Sequence, residues 1–559
     1  MDAYVILMRN WRTGKVLPWL IIGVGVGFRV AQYLGNRSLW GDEVAIALNL
    51  RFRTFAQLLH PLSYDQTMPL GLLLVVKSLA SVFGYSELVL RLPSLLVGCG
   101  LLILTWLLFS KIFEPRVVLL MATAMAVSEP LIYYSAELKQ YGLDALATVL
   151  LVWLAVITLK CTTNQAWPKL IAGGGVAMFF SQPVIFVLAS IGIAAVLDRR
   201  FRSSGVWRKY CIIAAAVWLT IFYLLLWLSY RSTMQSAYMR AFWSPNFITL
   251  SSPDFRERLS NSLVLLLGIF HVVHVRAIIL GALFLVGLYA IIRKSGGPIA
   301  VIAAGPFCLV LFAAALKQYP IATRLVMFTV PILLLIYASG ISLIADFIPQ
   351  GFSNLAFVAL SCTLILPTAV ATVRQAIHFN QREATRDLVK IISARNQDTA
   401  VYLVFGRYRE WAYYVGDWHQ PESLKERVDL ASACLRQAQL EYVGGKEEHG
   451  GGCVDLDFPA MDRRMEEIVG NPPPAPSRGT EADQAWAEKE AARIAAVKAK
   501  SVWLFLPVYN TNVMTGFPKQ RKLLERLEFQ LAELGCRSLE TRSKGDSLAH
   551  NFQCGEPTS

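Results

Sequence analysis

Apolar residues in this chain come in long blocks and not in alternation. Runs occupy 16–34, 92–110, 117–134, 142–159, 168–180, 183–197, 210–229, 277–292, 298–316, 325–345 and 355–373. A helix of ~20 residues crosses the ~30 Å hydrocarbon core of a bilayer, so the pattern predicts about eleven transmembrane helices. The runs at 168–180 and 183–197 are short and meet at Ser181-Gln182-Pro183, which predicts a tight hairpin. Residues 68–83 form a further apolar stretch that carries Lys77; it reads as a juxtamembrane or re-entrant helix. The first run lacks a small-residue cleavage pattern and reads as a signal anchor, not a cleavable leader.

Basic residues indicate which ends stay inside. Arg9, Arg12 and Lys15 precede the first run, Lys111, Arg116, Lys160 and Lys169 flank later ones, and Arg199, Arg200, Arg202, Arg208 and Lys209 form the densest cluster. With Arg293 and Lys294 they share one side if 68–83 does not cross. The N-terminus is then cytoplasmic, while 35–91, 134–141, 230–276, 317–324 and everything after about 375 face the exterior, read as the outer side of a bacterial inner membrane. Composition agrees: 55% of the 559 residues are hydrophobic and 16% charged, with a mean hydropathy of +0.47. The net charge of +14 is scattered over cytoplasmic turns, which fits topology and contact with anionic membrane lipids and argues against nucleic acid as a partner.

From about Val373 charge rises and apolar runs shorten, dividing a membrane part (1–373) from a C-terminal extracytoplasmic α/β domain (374–559). There, 380–396 predicts an amphipathic helix, 399–405 a buried strand, 484–500 an Ala/Lys/Glu helix and 501–508 a second strand. A last helix at 518–534 is stopped by Gly535. Asn471–Pro476 and the glycines at 444–445 and 450–452 mark loops. Cys99, Cys161, Cys211, Cys308 and Cys362 lie in or beside the runs and read as packing residues. Cys434, Cys453, Cys536 and Cys554 are an even set in a domain that permits disulfides, with three pairings open; their spacing is not that of a zinc site.

The candidate chemistry gathers on the outer loops. Asp42-Glu43 follows the first run directly, and adjacent carboxylates at a membrane exit are costly to desolvate. They are read either as a helix cap or as a general base with its partner or a ligand of a hard metal ion. Asp65, in Tyr64-Asp65-Gln66-Thr67-Met68-Pro69, has the same two readings. Arg91, in Ser86–Ser94, stands at a membrane edge, where a guanidinium grips phosphate bidentately or merely snorkels. Tyr133–Tyr141 packs Glu137, Lys139 and three phenols into nine residues, as an aromatic belt with a solvated ion pair or as a binding turn. Asp144 either reaches this turn or caps the next span. Arg324, near Lys317, is a further candidate for an anionic group.

In order and content these segments resemble the GT-C integral-membrane glycosyltransferases, in particular the protein O-mannosyltransferase-like and lipid A aminoarabinose transferase-like group. The resemblance rests on the acidic pair, "DQTMP", "LRLPSLL", "YYSAELKQYGL" and "TRLVMFTVPILLL", and spans roughly 16–346. Members commonly show Glu-x-Arg-x-Tyr where this chain has Glu137-Leu138-Lys139-Gln140-Tyr141; lysine keeps the charge and loses the planar fork. The C-terminal domain contributes nothing to the likeness. The resemblance implies transfer of a sugar, hexose or pentose, from a polyprenyl-phosphate donor to a glycan, lipid or protein acceptor on the outer face. Asp42 would then be the base or metal-linked carboxylate, Glu43 its orienting partner and Glu137 the second acid. Arg91, Lys139 and Arg324 would hold the phosphate, with Asp65 and Tyr141 also on substrate. A divalent metal stays open; if one binds, Asp42 and Glu137 supply oxygen ligands suited to a hard ion. The alternative, a transporter or flippase of lipid-linked saccharides, meets the absence of an internal repeat and of charges at mid-span in several runs. A membrane-anchored sensor does not need eleven spans.

The topology is open to direct test: reporter fusions or cysteine labelling at Gly35 and Gly445 are expected to report the exterior at both sites. Cytoplasmic labelling of either would separate the acidic and basic segments onto different faces.

Overall fold

In the computed structural model, residues 16–63, 66–161, 163–231, 236–249, 252–268, 274–377, 385–393, 399–403, 413–414, 484, 487–488, 491–492, 494–495, 501–506, 518–544 and 547–553 are described. Asp65, the basic residues before position 16, the loops at 444–452 and 471–476, and Cys434, Cys453 and Cys554 lie outside them. The chain falls into two compact units, one of Met1–Gly35, Met68–Tyr230 and Phe242–Phe379, the other of Asn36–Thr67, Arg231–Ala241 and Asn380–Ser559.

The first unit is helical. Its elements are α1 (Val16–Leu34) and, beyond α2 (Gly41–Phe52) of the second unit, α3 (Leu70–Phe83), α4 (Glu87–Phe109), α5 (Pro115–Ala126), α6 (Glu129–Tyr133), α7 (Tyr141–Lys160), α8 (Trp167–Phe180), α9 (Val184–Leu197), α10 (Gly205–Leu225), α11 (Phe255–Leu267), α12 (His274–Ser295), α13 (Gly297–Ala315), α14 (Val330–Asp346) and α15 (Gln350–Ile377). Each of the eleven apolar runs is helical. Among the described residues eight helices are long and apolar enough to cross a membrane: α1, α4, α7, α10 extended to Tyr230, α12, α13, α14 with its lead-in from Met327, and α15. Helices α5 and α6 meet at a bend of 60° and together make a ninth. The remaining two runs are α8 and α9, of 14 residues each.

Local chemistry explains the breaks. Pro130, at the start of α6, lacks an amide hydrogen and would clash with the preceding turn, so α5 cannot run on. Carbonyls freed in a bilayer need partners inside the protein. Arg29 donates from Nη2 to Met125 O at 3.1 Å and the Thr372 hydroxyl to Val127 O at 2.7 Å. Pro183 likewise separates α8 from α9. Trp207 closes the hairpin they form. Its ring stands 5.0 Å from that of Trp167 at the start of α8, and its Nε1 donates at 3.0 Å to Ala195 O near the end of α9.

The up-and-down course gives the unit two ends. At the near end lie the end of α1, the 133–140 turn, the α8–α9 turn, Tyr230 and the 316–326 loop; at the far end lie Lys111, Arg116, Lys160, Lys169 and Lys294. The far ends of α5, α12 and α14 are joined by charge: Arg116 bonds Asp346, and Lys294 bonds both Glu114, at 2.9 Å, and Asp346, at 3.3 Å. At the centre stands α14, buried along almost its whole length, whereas α10 and α12 leave most of their surface open to lipid. Helices α12 and α14 approach closely at paired small residues. A methyl group on Gly287 would overlap Ile336 O, and one on Gly340 would lie 3.0 Å from the Gly287 amide nitrogen. Membrane helices gain by such close contact, since lipid competes for apolar surface.

The second unit contains α2, α16 (Thr385–Ser393), α17 (Pro518–Glu533) and a four-stranded sheet of β1 (Thr399–Leu403), β2 (Ser501–Leu506), β3 (Arg537–Lys544) and β4 (Ser547–Gln553). The strand order is β1-β2-β4-β3, with β1 and β2 parallel and the other neighbours antiparallel. Helix α17 ends before Gly535, whose φ of +81° suits glycine. His550 on β4 bridges Glu528 of α17, at 2.8 Å, and Ser538 of β3, at 2.7 Å. Cys536 is disulfide-bonded, and the five cysteines of the membrane unit are free.

Gly287→Val is expected to lower the thermal midpoint of the purified protein, because overpacking costs roughly 1–3 kcal/mol. Gly27→Val, with nothing within 4 Å of the added group, is the control. Equal midpoints would mean that the α12–α14 crossing spreads without loss.

Candidate active site

The acidic pair opens α2. Trp40 is the N-cap residue in extended conformation, and the Glu43 carboxylate accepts from its backbone N–H at 3.4 Å. Glu43 is fully buried, so it does the work of a capping carboxylate and fixes the turn from which Asp42, part-buried, projects. The rest of α2 is tied down too. Asn49 donates to Ala45 O and Ser63 O and accepts from Ser63 N, while Arg53 reaches Pro61 O and the Ser63 hydroxyl.

In the membrane unit, the 133–141 turn is buried in full. Ser94 of α4 holds it by donating to Glu137 O at 2.6 Å, with Lys139 O at 3.4 Å, and the Lys139 amide closes back on Glu137 O at 2.8 Å. The ring of Tyr134 meets Tyr133 at 5.2 Å and Tyr141 at 4.8 Å, edge to face. Glu137 is 0% exposed and Lys139 6%, so this is no solvated ion pair on an aromatic belt. Arg91, one turn before Ser94 on α4, is 2% exposed and therefore does not snorkel. Lys139 and Ser94 line a narrow cleft whose other walls are apolar, including Leu72, Pro93, Val97 and Leu143. Arg324 lies with its guanidinium 5.4 Å from the centre of the Trp243 ring.

A second polar group adjoins this turn. Asp144, in the first turn of α7, is 3% exposed, and its Oδ1 has no hydrogen-bond partner. Ser181 stands beside its carboxyl, and Gln182 and Asp144 both neighbour the Tyr230 phenol. Ser181 Oγ, Gln182 Nε2 and Tyr230 OH are also buried, Ser181 against the Asp144 carboxyl and Gln182 against the Tyr230 phenol. Tyr319, from the 316–326 loop, faces Asp144 and Tyr141. Burial pushes its phenol well above the ordinary tyrosine value, so it stays a neutral donor, to Leu325 O at 2.8 Å. Polar atoms are expensive to bury in a low-dielectric interior unless they find partners, and the members of this group face one another.

The membrane unit thus brings together Glu137, Lys139, Tyr141 and Ser94, with Arg91 on the same helix face as Ser94. Asp42 and Glu43 belong to the other unit, and Asp65 lies outside the described residues. Among the described residues no group of three or more His, Cys, Asp or Glu side chains forms a metal site. Sequence reasoning treated Ser181-Gln182 as a bare turn and passed over Tyr230 and Tyr319. The available signal was a polar pair wedged between two half-length apolar helices, where an interrupted span exposes polar groups at membrane depth.

The chain thus comprises a helical membrane unit carrying buried acids and cations, and a small α/β unit. Residues 67–229 match the model of the family described as dolichyl-phosphate-mannose-protein mannosyltransferase. The fold is similar to that of ArnT from Cupriavidus metallidurans bound to undecaprenyl phosphate, with a TM-score of 0.50 at 13% identity over 96% of this chain and 98% of that one. It is equally similar to the apo state of ArnT, at 0.50 and 12% identity over 97% and 98%. No curated protein matches the sequence.

Asp144→Asn separates function from structure at the second polar group. Replacing a buried carboxyl with one unpaired oxygen by an amide of the same shape is expected to leave the thermal midpoint unchanged or to raise stability by about 1 kcal/mol. A clear fall in the midpoint would make the carboxylate a structural element.

Proposed function

We propose that the protein transfers a sugar, hexose or pentose, from a polyprenyl-phosphate donor to a glycan, lipid or protein acceptor on the outer face of a bacterial inner membrane. In this reading the N-terminus is cytoplasmic, residues 1–373 carry the reaction and the C-terminal domain is extracytoplasmic. One observation carries it: two cationic side chains, Arg91 and Lys139, are buried in an apolar helical unit, Lys139 close to Ser94 and to Leu72, Pro93, Val97 and Leu143. Buried cations in an apolar bundle suit a ligand that is anionic at one end and hydrocarbon along the rest, and a polyprenyl phosphate is such a molecule. The ArnT structure, solved with undecaprenyl phosphate, supports the same donor class.

The chemistry then follows from charge. As the acceptor oxygen attacks the anomeric carbon, Asp42 takes its proton. The bond from that carbon to the phosphate oxygen breaks, and its electron pair leaves with the lipid phosphate. Arg91, Lys139 and Arg324 stabilise the negative charge that grows there, the largest need of the transition state. Lysine at 139 acts as a point charge, so planar, bidentate recognition falls to Arg91. Glu43 keeps Asp42 in place, Glu137 is the second acid, and Asp65 and Tyr141 contact the substrate.

Positioned general bases contribute about 10²–10⁴-fold, so Asp42→Asn is expected to reduce release of polyprenyl phosphate by at least the lower factor, with Glu137→Gln also impaired. Arg91→Ala should weaken binding of undecaprenyl phosphate and Arg91→Lys recover only part. Unchanged turnover in Asp42→Asn rejects the base; lipid translocation without sugar release makes the protein a flippase.

A further inference from the structure

The loop between the first span and the acidic pair is held by the C-terminal domain, and the contacts fall at defined points. Asn36 turns the chain with φ of +38°, a left-handed conformation that asparagine tolerates better than most residues. Its carbonyl oxygen accepts from Arg386 Nη2 at 2.7 Å, and the Ser38 hydroxyl accepts from the Arg386 backbone N–H at 3.3 Å. The next amide, of Leu39, donates to the Tyr414 hydroxyl at 2.6 Å. Arg37, Ser38 and Leu39 are buried. Two bonds to the backbone and one to the Ser38 hydroxyl thus hold the loop within four residues of Trp40, whose amide Glu43 caps. Arg386 is itself anchored, because α16 packs on β4 and buries Leu388 and Val389.

We infer that Arg386 and Tyr414 are positioning residues: the C-terminal domain clamps the 36–39 loop so that Asp42 is held where the reaction needs it. The inference rests on the reading of Asp42 as the base. A general base works only within narrow limits, and a misplacement of about 1 Å costs on the order of 10²-fold in rate. The helix that carries Asp42 begins seven residues after a span ends, and a tether of that length leaves a base free to wander unless something outside the span holds it. Glu43 sets the turn of α2 from within; Arg386 and Tyr414 set the strand that delivers it. This gives the C-terminal domain a part in the reaction. The loop, α2 and the domain accordingly belong to one compact unit.

The test uses the full-length protein in detergent or nanodiscs with Tyr414→Phe, Arg386→Met and Arg386→Lys. Tyr414→Phe keeps the ring and removes the hydroxyl that accepts from the Leu39 amide. Hydrogen exchange of residues 36–44 is expected to rise about tenfold in Tyr414→Phe and Arg386→Met, the factor set by one hydrogen bond of ordinary strength. Turnover is followed as polyprenyl phosphate released from a total polyprenyl-phosphate-sugar extract of the producing cell. Its maximal rate should fall about tenfold, with the half-saturating donor concentration within twofold and undecaprenyl phosphate affinity unchanged; Arg386→Lys should fall between. Unchanged protection of 36–44 in Tyr414→Phe overturns the clamp, and so does a loosened loop with full maximal rate. If Asp42→Asn is inactive while the clamp variants work normally, only the clamp fails. If Asp42→Asn is fully active, the reading of Asp42 fails and the positioning role with it.

Discussion

A polar backbone group inside a bilayer must find its partner within the protein, and much of this structure follows from that requirement. The chain breaks its helices where chemistry is needed, and each break creates orphaned carbonyls. Arg29, Thr372 and Ser94 meet those at Met125, Val127 and Glu137. Arg29 is fully buried in the first span, an unusual place for a guanidinium; it donates to Gly25 O of its own helix and to Met125 O at the end of α5, where a helix dipole favours positive charge. Without such substitutes the 60° bend that starts the Tyr133–Tyr141 turn would be untenable.

Pro130 and Pro183 stand at the two breaks, while Pro93, Pro306 and Pro367 lie inside continuous helices; side chains from other helices decide whether a bend holds. That division of labour also governs how much could be read beforehand. The spans were legible because twenty-residue apolar blocks admit few alternatives, and Ser181-Gln182-Pro183 was legible as a turn. Strands β1 and β2 were visible as short apolar runs. Strands β3 and β4 were not, because Arg-Ser-Leu-Glu-Thr-Arg-Ser-Lys on β3 is mostly polar and stands at the sheet edge, where pairing needs little burial.

The candidate site was legible in its charged members and not in its geometry. Glu137, Lys139 and Arg91 drew attention as charges near a membrane edge, yet their complete burial depends on the fold of the 133–141 turn and on Ser94. Glu43 had two readings, cap and functional partner, and it serves as the cap. Asp144 had a cap reading that its unpaired oxygen does not support. Tyr230 and Tyr319 come from segments far apart in sequence, so no local pattern announces them. The 36–67 segment reads as an ordinary extramembrane loop, and nothing in its composition shows that it groups with residues after 380.

The ionic knot of Glu114, Arg116, Lys294 and Asp346 ties three helices at the end away from the candidate site. Nothing comparable joins those helices at the other end among the described residues, where their contacts are mainly apolar and side chain to carbonyl. The knot also sets depth: sliding any one of the three helices along its axis would draw an ammonium or guanidinium away from its carboxylate, so the ends of α5, α12 and α14 stay level with one another.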